Sequence, residues 1–317
     1  MGMKRYFFSI LLILMASCAV ASPTPSPFGY FAATPSLTRT QTPGPPRVLA
    51  VESFLADIAQ NVAGDRLAVE TLIPLGVDPH AYQPTPRDAA KVADCNILIV
   101  NGAGIEAFLD PLLANAGGER LIITASAGLT PRPDPQGEHP QGDPHFWLDP
   151  NNVIQYVENI RDGLSQADPD GSEIYAANAA AYLKQLIALD QWITQQLATL
   201  QPERRLLVTN HESLGYFADR YGFTVVGAVI PSVSTDASPT AQQMAALIEQ
   251  IKATGAPAIF LEMGANPQLA QQIAAETGVK VVTDLYTHSL SAPDGPAPTY
   301  IDMMKYNVGR IVAGCQS

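Results

Sequence analysis

Between Ser172 and Leu200 the chain contains neither proline nor glycine, the two residues that most readily interrupt a helix. Tyr182, Leu186, Leu189, Ile193, Leu197 and Leu200 recur there at steps of four and three, which marks one apolar helix face. At ~1.5 Å per residue this helix is on the order of 40 Å long, enough to run along two adjoining lobes as a rigid spine. A hinge would carry Gly, Ser or Pro at this point, so limited relative motion of the lobes is expected.

On either side of the spine the chain alternates between strand-like and helical runs. Val48–Val51, Ala68–Ile73, Ile97–Val100 and Leu121–Thr124 read as strands, with helical patterns such as Phe54–Val62 and Arg87–Asp94 between them. A second series begins at Leu206–Thr209, continues through Thr224–Val229, Ala258–Leu261 and Lys280–Thr283, and closes with a helix near Tyr300–Val312. Such alternation predicts an α/β fold, here two βα lobes with mainly parallel sheets joined by one long helix. The expected divisions are an N-terminal lobe over 47–171, the linking helix over 172–201 and a C-terminal lobe over 202–317.

The N-terminus has a different character. Lys4 and Arg5 precede an apolar run from Tyr6 to Ala16 that ends at Ser17-Cys18, the form of an export signal too short to span a bilayer. A cysteine after small residues resembles a bacterial lipoprotein signal, although Met15 stands where leucine is usual. Residues 1–18 are expected to be the signal and Cys18 the lipidated anchor, drawing about 0.8 kcal/mol from each buried methylene. Residues 19–46 carry seven prolines among Ser, Thr and Gly, which suits a semi-extended tether. Cys95 and Cys315 form no Cys-x-x-Cys pair and are expected to be small buried hydrophobes.

Hydrophobic residues make up 47% of the 317 residues, so a sizeable core can form. The net charge of −12 argues against nucleic acid as a partner, because phosphate neutralisation requires clustered Lys and Arg.

The histidines carry the chemistry. Asp78-Pro79-His80 and Asp143-Pro144-His145 repeat one tripeptide 65 residues apart; His211 follows after 66 more and His288 after a further 77. Each follows a predicted strand, and open parallel sheets bind ligands beyond the carboxyl ends of their strands. His80, His145, His211 and His288 are therefore expected to converge on one metal ion in the interlobe cleft, imidazole being the commonest metal donor. Asp78 and Asp143 would orient rings from behind or merely cap turns. Glu212, beside His211, and Glu262, ending an apolar run, are further candidates for such support. His139 is expected to be a solvated loop residue.

These residues also carry a resemblance. The stretches Gly76–Pro86, Asp143–Pro150, Thr209–Ala218 and Met303–Asn307 are similar to the zinc/manganese receptor lipoproteins of bacterial ABC importers, including the adhesin type, from about Val48 to Ala313. The resemblance implies two βα lobes on a long helix, a metal between them and delivery to a membrane permease. It also implies an extracytoplasmic, membrane-anchored protein, and a monomer is expected. His80, His145 and His211 fall on the family's first three ligand positions. Manganese-type members carry Glu third and Asp fourth, where this chain has His211 and His288. Zinc-type members use three histidines with a carboxylate or water and often a long His-rich loop, whereas Pro131–Gly142 is short and holds only His139.

Imidazole donors suit Zn2+, while Mn2+ favours carboxylates and water. Zinc is thus the expected cargo, with Mn2+ or Fe2+ as the alternative. Four protein donors would close the shell that catalytic zinc leaves open to water, and the chain has neither a His-Glu-x-x-His nor a Gly-x-Ser-x-Gly motif. A metallohydrolase, or a surface adhesin as the primary role, are the competing classes.

Overall fold

A computed structural model describes residues 44–134 and 139–316. The export signal, Cys18 and the tether as far as residue 43 lie outside the described residues. Among the described residues eight short strands form two four-stranded sheets. The first holds β1 (Val48–Ala50), β2 (Val69–Thr71), β3 (Ile97–Val100) and β4 (Leu121–Thr124) in the order β2-β1-β3-β4. The second holds β5 (Leu206–Thr209), β6 (Thr224–Ala228), β7 (Ala258–Glu262) and β8 (Lys280–Leu285) in the order β6-β5-β7-β8. Every pairing is parallel, with Val48 opposite both Val69 and Ile97, and Val208 opposite Ile259. Two sheets of identical order place each switch point, the crevice where the winding reverses, between the first and third strand of its lobe.

Strand composition explains why helices cover both faces. Ile97-Leu98-Ile99-Val100 is buried throughout, as a strand covered on two sides must be. Its residues alternate between cores: Ile97 and Ile99 join the large central core, Leu98 and Val100 a smaller outer one. In the second sheet Ala258 and Phe260 face the central core, while Ile259 and Leu261 face the outer one.

The spine is present as α5 (Ser172–Leu197), with Tyr175, Ala179, Tyr182, Leu186, Leu189, Ile193 and Leu197 buried along one face. Regular helix stops three residues before Leu200, in a turn closed by Leu200 N–H to Leu197 O at 3.0 Å. This face belongs to a single core that runs from Ile123 of the first sheet to Phe260 of the second. The lobes share their interior, as a rigid connection requires.

One other helix stitches the halves together, while α4 (Pro150–Ala167), which begins five residues after His145, lies along α5. Asp149 caps it by accepting from Asn151 N–H, and Pro150 occupies its first turn. The last helix, α9 (Tyr300–Gln316), packs on β8 and α5 but also reaches α1 (Ser53–Ala63) of the first lobe. There Tyr300 N–H donates to Asp57 at 2.9 Å, and the Tyr300 hydroxyl donates to Trp147 O at 2.7 Å. The C-terminal segment therefore holds both lobes. Cys95 and Cys315 are buried free thiols. Among the described residues no helix is long and apolar enough to cross a membrane.

Candidate metal centre

The two Asp-Pro-His tripeptides build the same turn. Asp78 Oδ1 accepts the His80 backbone N–H at 2.9 Å, and Asp143 Oδ1 accepts that of His145 at 2.9 Å. Each is an Asx-type turn closed two residues on, which fixes where the imidazole leaves the chain. The first sits in the loop after β2 and the second between β4 and α4. His211 leaves the end of β5, and His288 lies beyond β8. All four positions lie past the carboxyl ends of strands.

The rings meet. His145 Nε2 lies 3.3 Å from His80 Nε2, 3.2 Å from His211 Nε2 and 3.1 Å from His288 Nε2. One ligand atom from each of the four residues falls within 4.8 Å of the others. For Zn–N bonds of ~2.0–2.1 Å, the edge of a regular tetrahedron is about 3.3–3.4 Å, close to these separations. His145 and His211 are 0% exposed and His288 is 7%, whereas His80 is partly open to solvent. The access side of the cluster is therefore the His80 loop.

Carboxylates stand behind three of the rings. Asp143 Oδ1 accepts from His145 Nδ1 at 2.8 Å. Glu262, at the end of β7 on the second lobe's switch point, puts Oε1 3.0 Å from His211 Nδ1 and Oε2 3.0 Å from His288 Nδ1; the His211 contact is bent out of hydrogen-bonding geometry. Glu262 is itself held by Asn210 Nδ2 at 2.5 Å and by the Thr287 hydroxyl. With acceptors at the Nδ1 of His145 and His288, the Nε2 lone pairs of those two rings remain for the shared centre.

Asp78 and Glu212 differ from this pattern. Asp78 Oδ2 accepts from the Thr235 hydroxyl at 2.5 Å, across the cleft, and touches no ring. Glu212 lines a separate cavity of ≈ 470 Å³ with Arg132, Asp143 and Gly215. His139 is not among the four grouped histidines; its backbone N–H donates to Asp134 at 2.8 Å.

The electrostatics follow from burial. Burial, and then the charges of neighbouring rings, hold His80 and His145 well below the usual imidazole range. Burial also lowers His288, but the charge and hydrogen bond of Glu262 outweigh it and leave that ring raised. Burial alone would raise Glu262, yet His211 and His288 pull it well below the ordinary carboxylate range. Asp143 is pushed up to about 7 by burial, against the pull of the His145 N–H and Arg132; a dication at the rings would act to lower it.

Asn210 and Thr287, which steady Glu262, adjoin His211 and His288 in the sequence, and adjacency was the one signal that could have pointed to them. Arg132, in contact with Asp143, gave no such signal.

The chain is similar to known proteins over most of its length. Residues 48–314 match the model of the family described as the periplasmic component A of the zinc-uptake complex. The manganese-binding lipoprotein MntA of Halalkalibacterium halodurans is 36% identical over 269 residues, covering 84% of this chain and 88% of that protein. The iron-binding protein YfeA of Yersinia pestis is 34% identical, covering 84% and 86%. The solved structure of the periplasmic zinc-binding protein TroA from Treponema pallidum superposes with a TM-score of 0.78 at 26% identity, covering 86% of this chain and 99% of that one.

Proposed function

This chain belongs to the family of metal-binding receptors of bacterial ABC importers, and on that premise we propose that it captures a single divalent ion, zinc foremost, between its lobes and hands it to a membrane permease. Members of this family are solute-binding proteins rather than enzymes. The carrying observation is the meeting of four imidazole nitrogens, with His145 Nε2 3.1–3.3 Å from each of the other three. His80, His145, His211 and His288 form the donor set, with Asp143 accepting behind His145 and the Glu262 carboxylate standing behind His211 and His288. The ion is cargo: it must be held tightly enough to be scavenged and released on docking.

Donor chemistry favours zinc. Four neutral imidazoles suit a tetrahedral ion without geometric preference from its d-electrons, while manganese prefers oxygen. The names of relatives that bind manganese or iron support a second reading, the same receptor with Mn2+ or Fe2+ as cargo. Those relatives named as lipoproteins support a chain held outside the cytoplasm by a lipid on Cys18, at the cell surface or in the periplasm.

Elemental analysis of protein purified without added metal, paired with competition between zinc and manganese, tests the assignment. Near-stoichiometric zinc that manganese does not displace is expected. Zinc displaced by equimolar manganese would transfer the function to the second reading, and a protein that takes up neither zinc, manganese nor iron would end both.

A further inference from the structure

The loop that delivers His145 is tied to the opposite lobe by a device separate from the ring cluster. Arg132 lies in the connection between β4 and α4, on the first lobe. Its carbonyl accepts from Asp143 N–H at 2.9 Å, an isolated antiparallel bridge that folds this connection back on itself. Its guanidinium reaches the short helix α6 (Gly215–Tyr221) of the second lobe, pairing with Asp219 through Nη1. The guanidinium also stands 5.7 Å from the centre of the Tyr216 ring. Arg132 Nε lies 3.6 Å from Asp143 Oδ2, the oxygen not used by His145.

Tyr216 completes the connection. Its hydroxyl accepts from Arg132 N–H at 2.9 Å and donates to Asp143 O at 2.7 Å. Two glycines make room: a Cβ on Gly215 would meet Arg132 Nε at 2.6 Å and Asp143 Oδ2 at 3.0 Å, and one on Gly142, at φ +81°, would meet Arg132 O at 2.4 Å. α6 follows His211 within a few residues, so this contact joins the segments that carry one ring from each lobe. The Asp219 carboxylate is 68% exposed, and an ion pair that open contributes little alone. Its joint action with the bridge, Tyr216 and Asp143 is what gives it leverage.

We propose that Arg132 is a positioning residue for the metal centre, clasping the His145 loop of the first lobe to α6 of the second and so holding the His145 ring against its partners. The inference rests on the metal-receptor reading and deepens it. Arg132 touches no ion; it acts through Asp143 and Tyr216, and its loss would be felt as faster release.

The test is zinc affinity and dissociation rate, by chelator competition, in wild type, R132A, R132K, D219N and G215A, each shown folded by circular dichroism. R132A is expected to lose affinity on the order of tenfold, at the low end for groups behind a ligand, chiefly through a faster off-rate. R132K should recover part of the loss, and D219N and G215A should move the same way. In an H145A background R132A should have no further effect. An unchanged off-rate in folded R132A would overturn the proposal. So would an equal loss in the H145A background, which would mean general destabilisation. Hydrogen exchange of the metal-free protein separates this proposal from the receptor reading: R132A should speed exchange at 140–149 whether or not metal binds. Unaltered exchange there sinks the clasp alone, whereas failure of wild type to take up zinc, manganese or iron sinks the reading alone.

Discussion

His211 and His288, 77 residues apart in the chain, lean on the two oxygens of one carboxylate: each Nδ1 lies 3.0 Å from Glu262. A single carboxylate thereby stands behind two of the four clustered rings. Glutamine at this position offers one acceptor and one donor, so an N–H would face one of the two rings. E262Q should lower zinc affinity by about 10–100-fold, the usual range for partners behind a ligand, with secondary structure intact. Chelator competition measures it, and wild-type affinity in E262Q would show that Glu262 does not orient the rings.

The four rings are unequally braced. His145, His211 and His288 are enclosed, while His80 is partly exposed and is held through its backbone N–H to Asp78. H80A should therefore fold like wild type yet lose more than about 100-fold in zinc affinity, exceeding the effect of losing a partner behind a ligand. H145A removes a ring that is 0% exposed and should also lower the melting temperature. Equal thermal cost for the two variants would contradict the view that His80 is the entrance arm.

Trp147 joins the lobes next to the site. It is fully buried, stacks on Phe54 at 4.3 Å and 20°, and donates Nε1–H to Thr287 O at 2.7 Å. W147F would leave that buried carbonyl without its donor, at about 1–3 kcal/mol, with a further loss from the smaller ring. Denaturant unfolding should report about 2–4 kcal/mol in all. A loss under about 0.5 kcal/mol would mean that the contact across the lobes carries no weight.

At the first lobe's switch point sits a buried carboxyl pair. Glu52 is 1% exposed and Glu106 8%. Glu106 accepts from the N–H groups of Asn101 and Gly102. Burial, reinforced by Glu106, raises Glu52 well above its ordinary value, and burial pushes Glu106 up to about 7. The unfolded chain releases these protons near pH 4.5, the folded chain later. Their contribution is complete below about 4.5 and is lost as pH rises towards 7. E106Q should thus match wild type near pH 4.5 and exceed it at pH 7.5 by about 1–3 kcal/mol, taking ~1.4 kcal/mol per pH unit as the scale. The comparison uses metal-free protein, and a pH-independent difference would refute it.

Local pattern made much of this legible. The eight strands of the described residues lie in the largely apolar runs between helical stretches, and an inner strand such as Ile97–Val100 is apolar along its length because both of its faces are buried. The spine showed itself through the spacing of Tyr182, Leu186, Leu189, Ile193 and Leu197. The repeated Asp-Pro-His turn pointed to two of the clustered rings, and the position of His211 and His288 after strands pointed to the others. Glu262 stood out because it ends an apolar run. Long-range geometry escaped. Arg132 meets Asp219, Trp147 meets Thr287 and Tyr300 meets Asp57 across separations that leave no periodic trace. The roles of the two aspartates also diverged: Asp143 supports a ring while Asp78 spans the cleft to Thr235. Identical tripeptides make identical turns, but what lies opposite each turn decides what its second oxygen holds.

X-ray absorption at the zinc edge, on protein loaded by its native cell, tests the central claim most directly. Four nitrogen neighbours at ~2.0–2.1 Å with imidazole outer-shell scattering are predicted. A six-coordinate, oxygen-rich shell, or a spectrum losing no imidazole when His288 is replaced by alanine, would contradict a centre built from these four histidines.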